Sequence, residues 1–314
     1  MNSKTNFFNS ERIRVSTFDD ALVKCASIRK KDLSKPYIIE ISGGTVNREI
    51  KFPFSNFWII GISPVTVKFD SCAKKLDQDG KELTTWRTPV FKVMGNNCIF
   101  ENFIFKNTAG NPEINGQQVA LAIYGNNNSF INCQMHSTQD TLFLGPLPDD
   151  LITRYQNFLP NDERLIEGNL INYFKCCKIE GTIDFIFGAG QGIFDQCQIV
   201  SLPSNRDNCA IAPAHSMKDD IGFIFYKCQF TSSQTTPYVY LSRPWRDYGK
   251  CVFIKCDYGP HIKSIGFLNW SQTARDKTAR YEEYPYKSWR VSWVKNTSNT
   301  NIPQRYIELI NNGE

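Results

Sequence analysis

Apolar residues recur at helical spacing clearly once, near the start of the chain. Phe18, Ala21, Leu22 and Cys25 make one face through about Ile28, and Ser16 or Thr17 can cap it. The texture then changes to short apolar runs, such as Tyr37–Ile41, Phe57–Ile62 and Val65–Phe69, broken by Gly, Asn, Asp and Pro. That is the pattern of many short strands joined by turns. From about residue 97 a loose repeat emerges in Asn97–Phe105, Ser129–Met135, Tyr173–Ile179, Gly192–Ile199, Phe223–Phe230 and Lys250–Tyr258. Each has an apolar residue, two intervening positions, usually a cysteine, one polar position and a second apolar residue. Aligned on Phe103, Cys133, Cys177, Cys197, Cys228 and Cys256, the steps are 30, 44, 20, 31 and 28 residues. Helical and leucine-rich solenoids have other periods, whereas coils of a parallel β-helix stack equivalent inward residues and tolerate turns of unequal length. The repeat therefore predicts an all-β solenoid with a short N-terminal helical cap. Asn96, Asn97 and Asn126–Asn128 suit its left-handed bends and are candidates for ladders.

Composition narrows the class. With 314 residues and 41% apolar side chains the chain has ample core material, and length alone allows one or two domains. The solenoid reading favours one domain spanning 1–314. Eleven cysteines, an odd number without metal-type spacing, read as buried thiols filling the interior, and the three histidines are too scattered for a metal site. No metal or cofactor is expected. The net charge of +5 comes from Lys and Arg spread along the chain, so no nucleic-acid partner is expected. No apolar run approaches the roughly twenty residues of a membrane span. Met1–Arg14 is charged and does not resemble a leader, which points to a cytoplasmic location.

Three segments put polar groups where their neighbours are apolar: Gln117-Gln118-Val119-Ala120-Leu121, Gln139-Asp140-Thr141-Leu142-Phe143, and Gly181 to Gly188, which carries Asp184 and Phe187. A lone carboxylate in so apolar a strand needs a partner, and Arg243 in Ser242-Arg243-Pro244-Trp245-Arg246 offers one. Taken singly these features describe an internal ion pair, a turn cap and a core tryptophan.

Together, and in this order, the phrases QVAL, QDTL, GTIDFIFGAG and RPW resemble the signature of the pectin methylesterases over about 130 residues. Weaker echoes lie in STFDDAL, GISPVTV, GFLNW and RVSW. The resemblance implies a single-stranded right-handed parallel β-helix that removes methyl esters from galacturonan or oligogalacturonides. It also implies roles: Asp184 as nucleophile, Asp140 as general acid and base, Gln117 and Gln139 as oxyanion donors, and Arg243 as the group holding the nucleophile. Arg243, Trp245, Phe187 and Gln118 are the substrate-contact candidates. An esterase or thioesterase for other acyl groups, or a non-catalytic binder of acidic polysaccharide, are the alternatives.

Departures from the family pattern are Gln118 for Ala, Ser242 for Gly and Phe267 for Trp. The 44-residue interval between Asp140 and Asp184 is also longer than one coil. The excess, about 145–168, reads either as a tolerated surface insertion or as a lid beside the cleft.

Overall fold

Three stacks of short parallel strands wind around one interior. The computed structural model describes residues 5–30, 32, 34–166, 168–295 and 302–312. One stack runs through Ser129–Ile131, Ile171–Lys175, Gln191–Asp195, Phe223–Tyr226, Lys250–Ile254 and Arg280–Tyr284. The second runs through Gln134–His136, Lys178–Gly181, Gln198–Ser201, Gln229–Thr231 and Asp257–Tyr258. Ile99–Asn107 belongs to both, its first half pairing with Ser129–Ile131 and its second with Gln134–His136. The third stack forms a separate sheet of seven strands, including Leu121–Ile123, Leu142–Leu144, Ile186–Gly188, Asn208–Pro213 and Val239–Ser242.

The register reproduces the cysteine alignment. Gln134 pairs with Ile104, Lys178 with Gln134, Gln198 with Lys178, Gln229 with Gln198 and Asp257 with Gln229, each one position past the aligned residue. In five coils only two residues join the first stack to the second, a left-handed residue followed by the cysteine. Asn132, Cys176, Gln196, Lys227 and Lys255 supply the positive φ, between 50° and 53°. The next thiol reaches back one coil to a phenylalanine carbonyl: Cys133 to Phe100 at 3.3 Å, Cys177 to Phe130 at 3.2 Å, Cys197 to Phe174 at 3.4 Å, and Cys228 to Phe194 and Cys256 to Phe225 at 3.3 Å. All eleven cysteines are free.

Those phenylalanines stack in turn. Phe100, Phe130, Phe174, Phe194, Phe225 and Phe253 form a column with centroid spacings of 4.6–5.5 Å and interplanar angles of 8–12°. Burying each ring is worth about 1.5–3 kcal/mol. Favourable ring pairing adds about 0.5–1.5 kcal/mol per contact. The expected asparagine ladders are present at the bends, where Asn127 donates to Asn97 at 2.9 Å and Asn132 to Asn102 at 2.6 Å.

Helix Phe18–Arg29 closes the N-terminal end. Thr17 and Asp20 form a reciprocal capping box, and Phe18 packs edge-on against Phe103 with centroids 5.6 Å apart. The two expected strands at 57–62 and 65–69 are one strand, Phe57–Phe69, with a register shift between Ile60 and Val65. Pro64 lies inside that shift, where its missing N–H leaves no rung of the ladder broken. No helix among the described residues is long and apolar enough to cross a membrane.

Candidate active site

The two carboxyl groups are brought together by strand register. Leu142 pairs with Ile186, so two residues earlier Asp140 stands one coil from Asp184, and the Asp140 N–H donates to the Ile183 carbonyl at 3.1 Å. Neighbouring strands are about 4.8 Å apart, and the 44-residue step from Asp140 to Asp184 does not alter that separation. Both aspartates have left-handed backbones, φ 62° and 47°. Aspartate tolerates this region better than most residues, and here it breaks the strand alternation at the entrance to the third stack. Gly188 follows with φ 131°, and a Cβ there would lie 2.0 Å from the Leu144 carbonyl oxygen. The apolar motif around Asp184 thus needs a glycine for close coil packing.

Arg243 comes from the turn after Val239–Ser242 and reaches back across the stack. Its Nε donates to Asp184 Oδ1 at 2.9 Å and its Nη2 to Oδ2 at 2.5 Å. The guanidinium carbon is also 4.4 Å from the Trp270 ring centroid. Asp184 is only 7% exposed. Burial pushes its carboxyl above the usual range, while the charge and hydrogen bonds of Arg243 oppose that shift. Burial pushes Asp140 well above the usual range; the Asp184 charge adds to the effect, and Arg243 counters it only electrostatically. The pair is therefore asymmetric, with the proton favoured more strongly on Asp140 than on Asp184.

Both aspartates border a cavity of about 560 Å³ together with Gln117, Gln139, Phe187, Arg243 and Trp245. The structure thus brings together seven of the eight candidate residues. The Gln117 and Gln139 side chains are half-buried, and neither amide is committed to another protein group among the described residues. Trp245 stacks on Trp86 at 6.3 Å and meets the edge of Phe187 at 5.9 Å, making an aromatic wall. Phe187 is 3% exposed and serves mainly as its backing.

Gln118 is the exception. It is fully buried, and its amide donates to the Gly110 and Gly116 carbonyls at 2.9 and 3.3 Å, so it braces a loop and does not face the cavity. Adjacent residues in extended chain point to opposite sides, and only Gln117 of this pair faces the groove.

The excess segment forms a wall of the same cavity. It contains helices Asp149–Arg154 and Asn161–Arg164, and contributes Asp150, Leu151, Arg154 and Tyr155 to the lining. Leu147, Leu151 and Leu159 are buried with Trp86, Phe143 and Phe187. Asp150 receives both Nε and Nη2 of Arg246, at 3.0 and 2.6 Å. Buried Glu163 accepts from Lys92 at 2.7 Å. Trp86, Trp270, Arg246 and Arg275 also line this site, beyond the residues expected from the sequence, whereas Asp150 lies in the 145–168 segment expected as a possible lid. Trp270 ends the GFLNW phrase and Arg246 directly follows RPW, so both carried a local signal. Trp86 lies far upstream and arrives only through coiling.

Fold and groove define the class, a β-helix ester hydrolase. Residues 9–146 and 161–302 match the family described as Pectinesterase, and the chain belongs to that family. Residues 147–160 fall outside the match. Among curated relatives, Pectinesterase 31 of Arabidopsis thaliana is 28% identical over 272 residues, covering 82% of this chain and 77% of the relative. Pectinesterase 2 of Citrus sinensis is 28% identical over 260 residues, covering 79% of this chain but 44% of its own length. A solved pectin methylesterase in complex with a hexasaccharide superposes with TM-score 0.71 at 18% identity, covering 96% of this chain and 95% of that one, and shares the right-handed parallel β-helix.

The expected cytoplasmic location is overturned, because the homologous plant pectinesterases are extracellular cell-wall enzymes. The charge of one chain end says nothing about where the folded groove works.

Proposed function

We propose that this chain hydrolyses methyl esters of galacturonate units in pectin or pectic oligosaccharides, with Asp184 as nucleophile and Asp140 as general acid and base. The observation that carries the reading is the asymmetry of the aspartate pair: one carboxylate is clamped bidentately by Arg243, and its neighbour one coil away is driven toward the protonated form.

An oxygen of ionised Asp184 attacks the ester carbonyl carbon, and the carbonyl electron pair moves onto oxygen. The Nε2–H groups of Gln117 and Gln139 donate to that oxyanion, at about 3–4 kcal/mol of barrier per well-placed donor. Collapse breaks the bond to methoxide, which takes the Asp140 proton and leaves as methanol, giving an acyl-enzyme anhydride. Asp140, now a carboxylate, deprotonates water, which cleaves the anhydride and restores both residues. The Trp245–Trp86 wall offers a sugar ring an apolar face. The comparisons favour this activity over other acyl substrates or a purely binding role.

Methanol release from esterified pectin tests the reading, with Asp184→Asn as control. The variant should keep its thermal transition and lose at least about a thousandfold in kcat, since a catalytic member is removed outright. Substantial remaining turnover would overturn the assignment of the nucleophile.

A further inference from the structure

Two of the chain's departures from the family pattern, Ser242 for Gly and Phe267 for Trp, meet behind the residue that clamps Asp184. Val239–Ser242 is the last strand of the third stack. Along one edge it pairs with Asn208–Pro213, which sets Ile211 opposite Ser242. Along the other edge no strand of the stack continues it among the described residues; the chain that follows meets it through the isolated bridges Val239 to Ile262 and Ser242 to Phe267. Arg243 thus leaves a strand that has a full neighbour on one side alone.

A buried polar chain supplies what that edge lacks. Ser242 Oγ donates its one proton to the Ile211 carbonyl at 3.0 Å, and the same carbonyl accepts the Arg243 N–H at 3.0 Å. With that proton committed, Ser242 Oγ accepts from the Tyr281 hydroxyl at 2.8 Å. Both side chains are buried, and neither borders the cavity. The Tyr281 ring rests against Phe267 with centroids 5.2 Å apart. From the same loop, the Leu268 N–H donates to the Ser242 carbonyl at 3.1 Å, and the Trp270 ring lies 4.4 Å from the Arg243 guanidinium. Glycine at 242 offers the phenol no such acceptor, and a buried hydroxyl without a partner is costly.

We propose that Ser242 and Tyr281 are positioning residues for the reaction: their hydrogen bond fixes the strand end from which Arg243 reaches both oxygens of Asp184. The assignment rests on ester hydrolysis at Asp184, and its test separates the two ideas. The other titratable groups around the clamp are Asp140, Cys209, Cys251 and Tyr281 itself. Burial raises both thiols and the phenol, so the carboxyls alone change charge in the acid range. Tyr281→Phe removes the donor and Ser242→Ala the acceptor. Each should lower kcat for methanol release about tenfold with KM unchanged, short of the roughly hundredfold that a 1 Å misplacement can cost. Each should also move the acid limb of the pH profile up by about half a unit, the shift one hydrogen bond carries, because a loosened Arg243 favours ionised Asp184 less. The double variant should lose no more than the worse single one, as two halves of one bond do. Carbon-13 NMR of the aspartate carboxyls, with Asp184 assigned from Asp184→Asn, reads the same shift without turnover. An acid limb and an Asp184 titration that both stay in place in Tyr281→Phe, whatever the change in melting temperature, would overturn the positioning role. If the unmodified chain releases no methanol, hydrolysis falls as the function and the carboxyl titration alone decides whether the pair positions Arg243.

Discussion

Replacing Arg243 with glutamine should move the acid side of the pH profile, not merely lower activity. Asp184 is buried and has two guanidinium N–H groups on its two oxygens, at 2.9 and 2.5 Å. Removing one partner of a buried pair leaves an uncompensated charge at a cost of about 3–5 kcal/mol. Taken wholly on the ionised form, the lower figure raises the Asp184 pKa by about two units, at 1.36 kcal/mol per unit. The acid limb of kcat/KM for methanol release should therefore shift up by about two pH units, with much of the activity recovered on its alkaline side. Stability carries the same signature. A carboxyl whose folded pKa lies above its unfolded value binds more protons in the native state, so the native state loses stability as pH rises past the unfolded value. The Arg243→Gln variant enlarges that difference. Its loss of melting temperature relative to the unmodified chain should be small near pH 4 and larger near pH 7. An acid limb that stays in place, with activity reduced equally at every pH, would refute the view that Arg243 keeps Asp184 ionised.

Asp140→Asn should lower kcat by about 10²–10⁴-fold with methyl esters, the usual range for a lost proton donor; esters with a more acidic leaving group should be less affected, and an equal loss on both would count against Asp140 as the acid. Phe194→Ala should destabilise the fold by about 3–5 kcal/mol in denaturant titrations, since it opens the middle of the phenylalanine column. The residual folded protein should retain its KM, because the column does not reach the cavity.

The coil positions were legible because they obey a local rule: an apolar residue, two intervening positions, usually a cysteine, a polar position and a second apolar residue. Cys133, Cys177, Cys197, Cys228 and Cys256 could be aligned by eye, and the strand register follows the same alignment. Asp140, Asp184 and Arg243 were legible because each is polar within an apolar phrase. Gln118 was misread for a matching reason: it sits beside Gln117 in the same phrase, and only the fold distinguishes which of the two turns inward. Trp86 was beyond reach, since its place depends on long-range coiling that no local pattern encodes, and the 145–168 segment was legible only as excess length beside the cleft, because its packing against Trp86, Phe143 and Phe187 is tertiary. The continuous strand Phe57–Phe69 was split in the sequence because Pro64 is an ordinary strand breaker, yet here the bulge absorbs it.

The two-residue corner between the first and second stacks behaves as a fixed joint, while the corners on either side of the third stack have slack. Five coils turn on two residues of which the second is always cysteine, and thiol, carbonyl and ring columns meet at that edge. Among these five coils length varies only elsewhere, and the 44-residue step adds its excess between Leu142–Leu144 and Ile171–Lys175, next to the carboxyl pair. The reacting carboxyls lie where the chain enters the third stack and the added length lies where it leaves, so what holds them and what varies the approach to them occupy different edges of the same coil. A chain of this kind can acquire new selectivity by lengthening one edge while its chemistry stays in register.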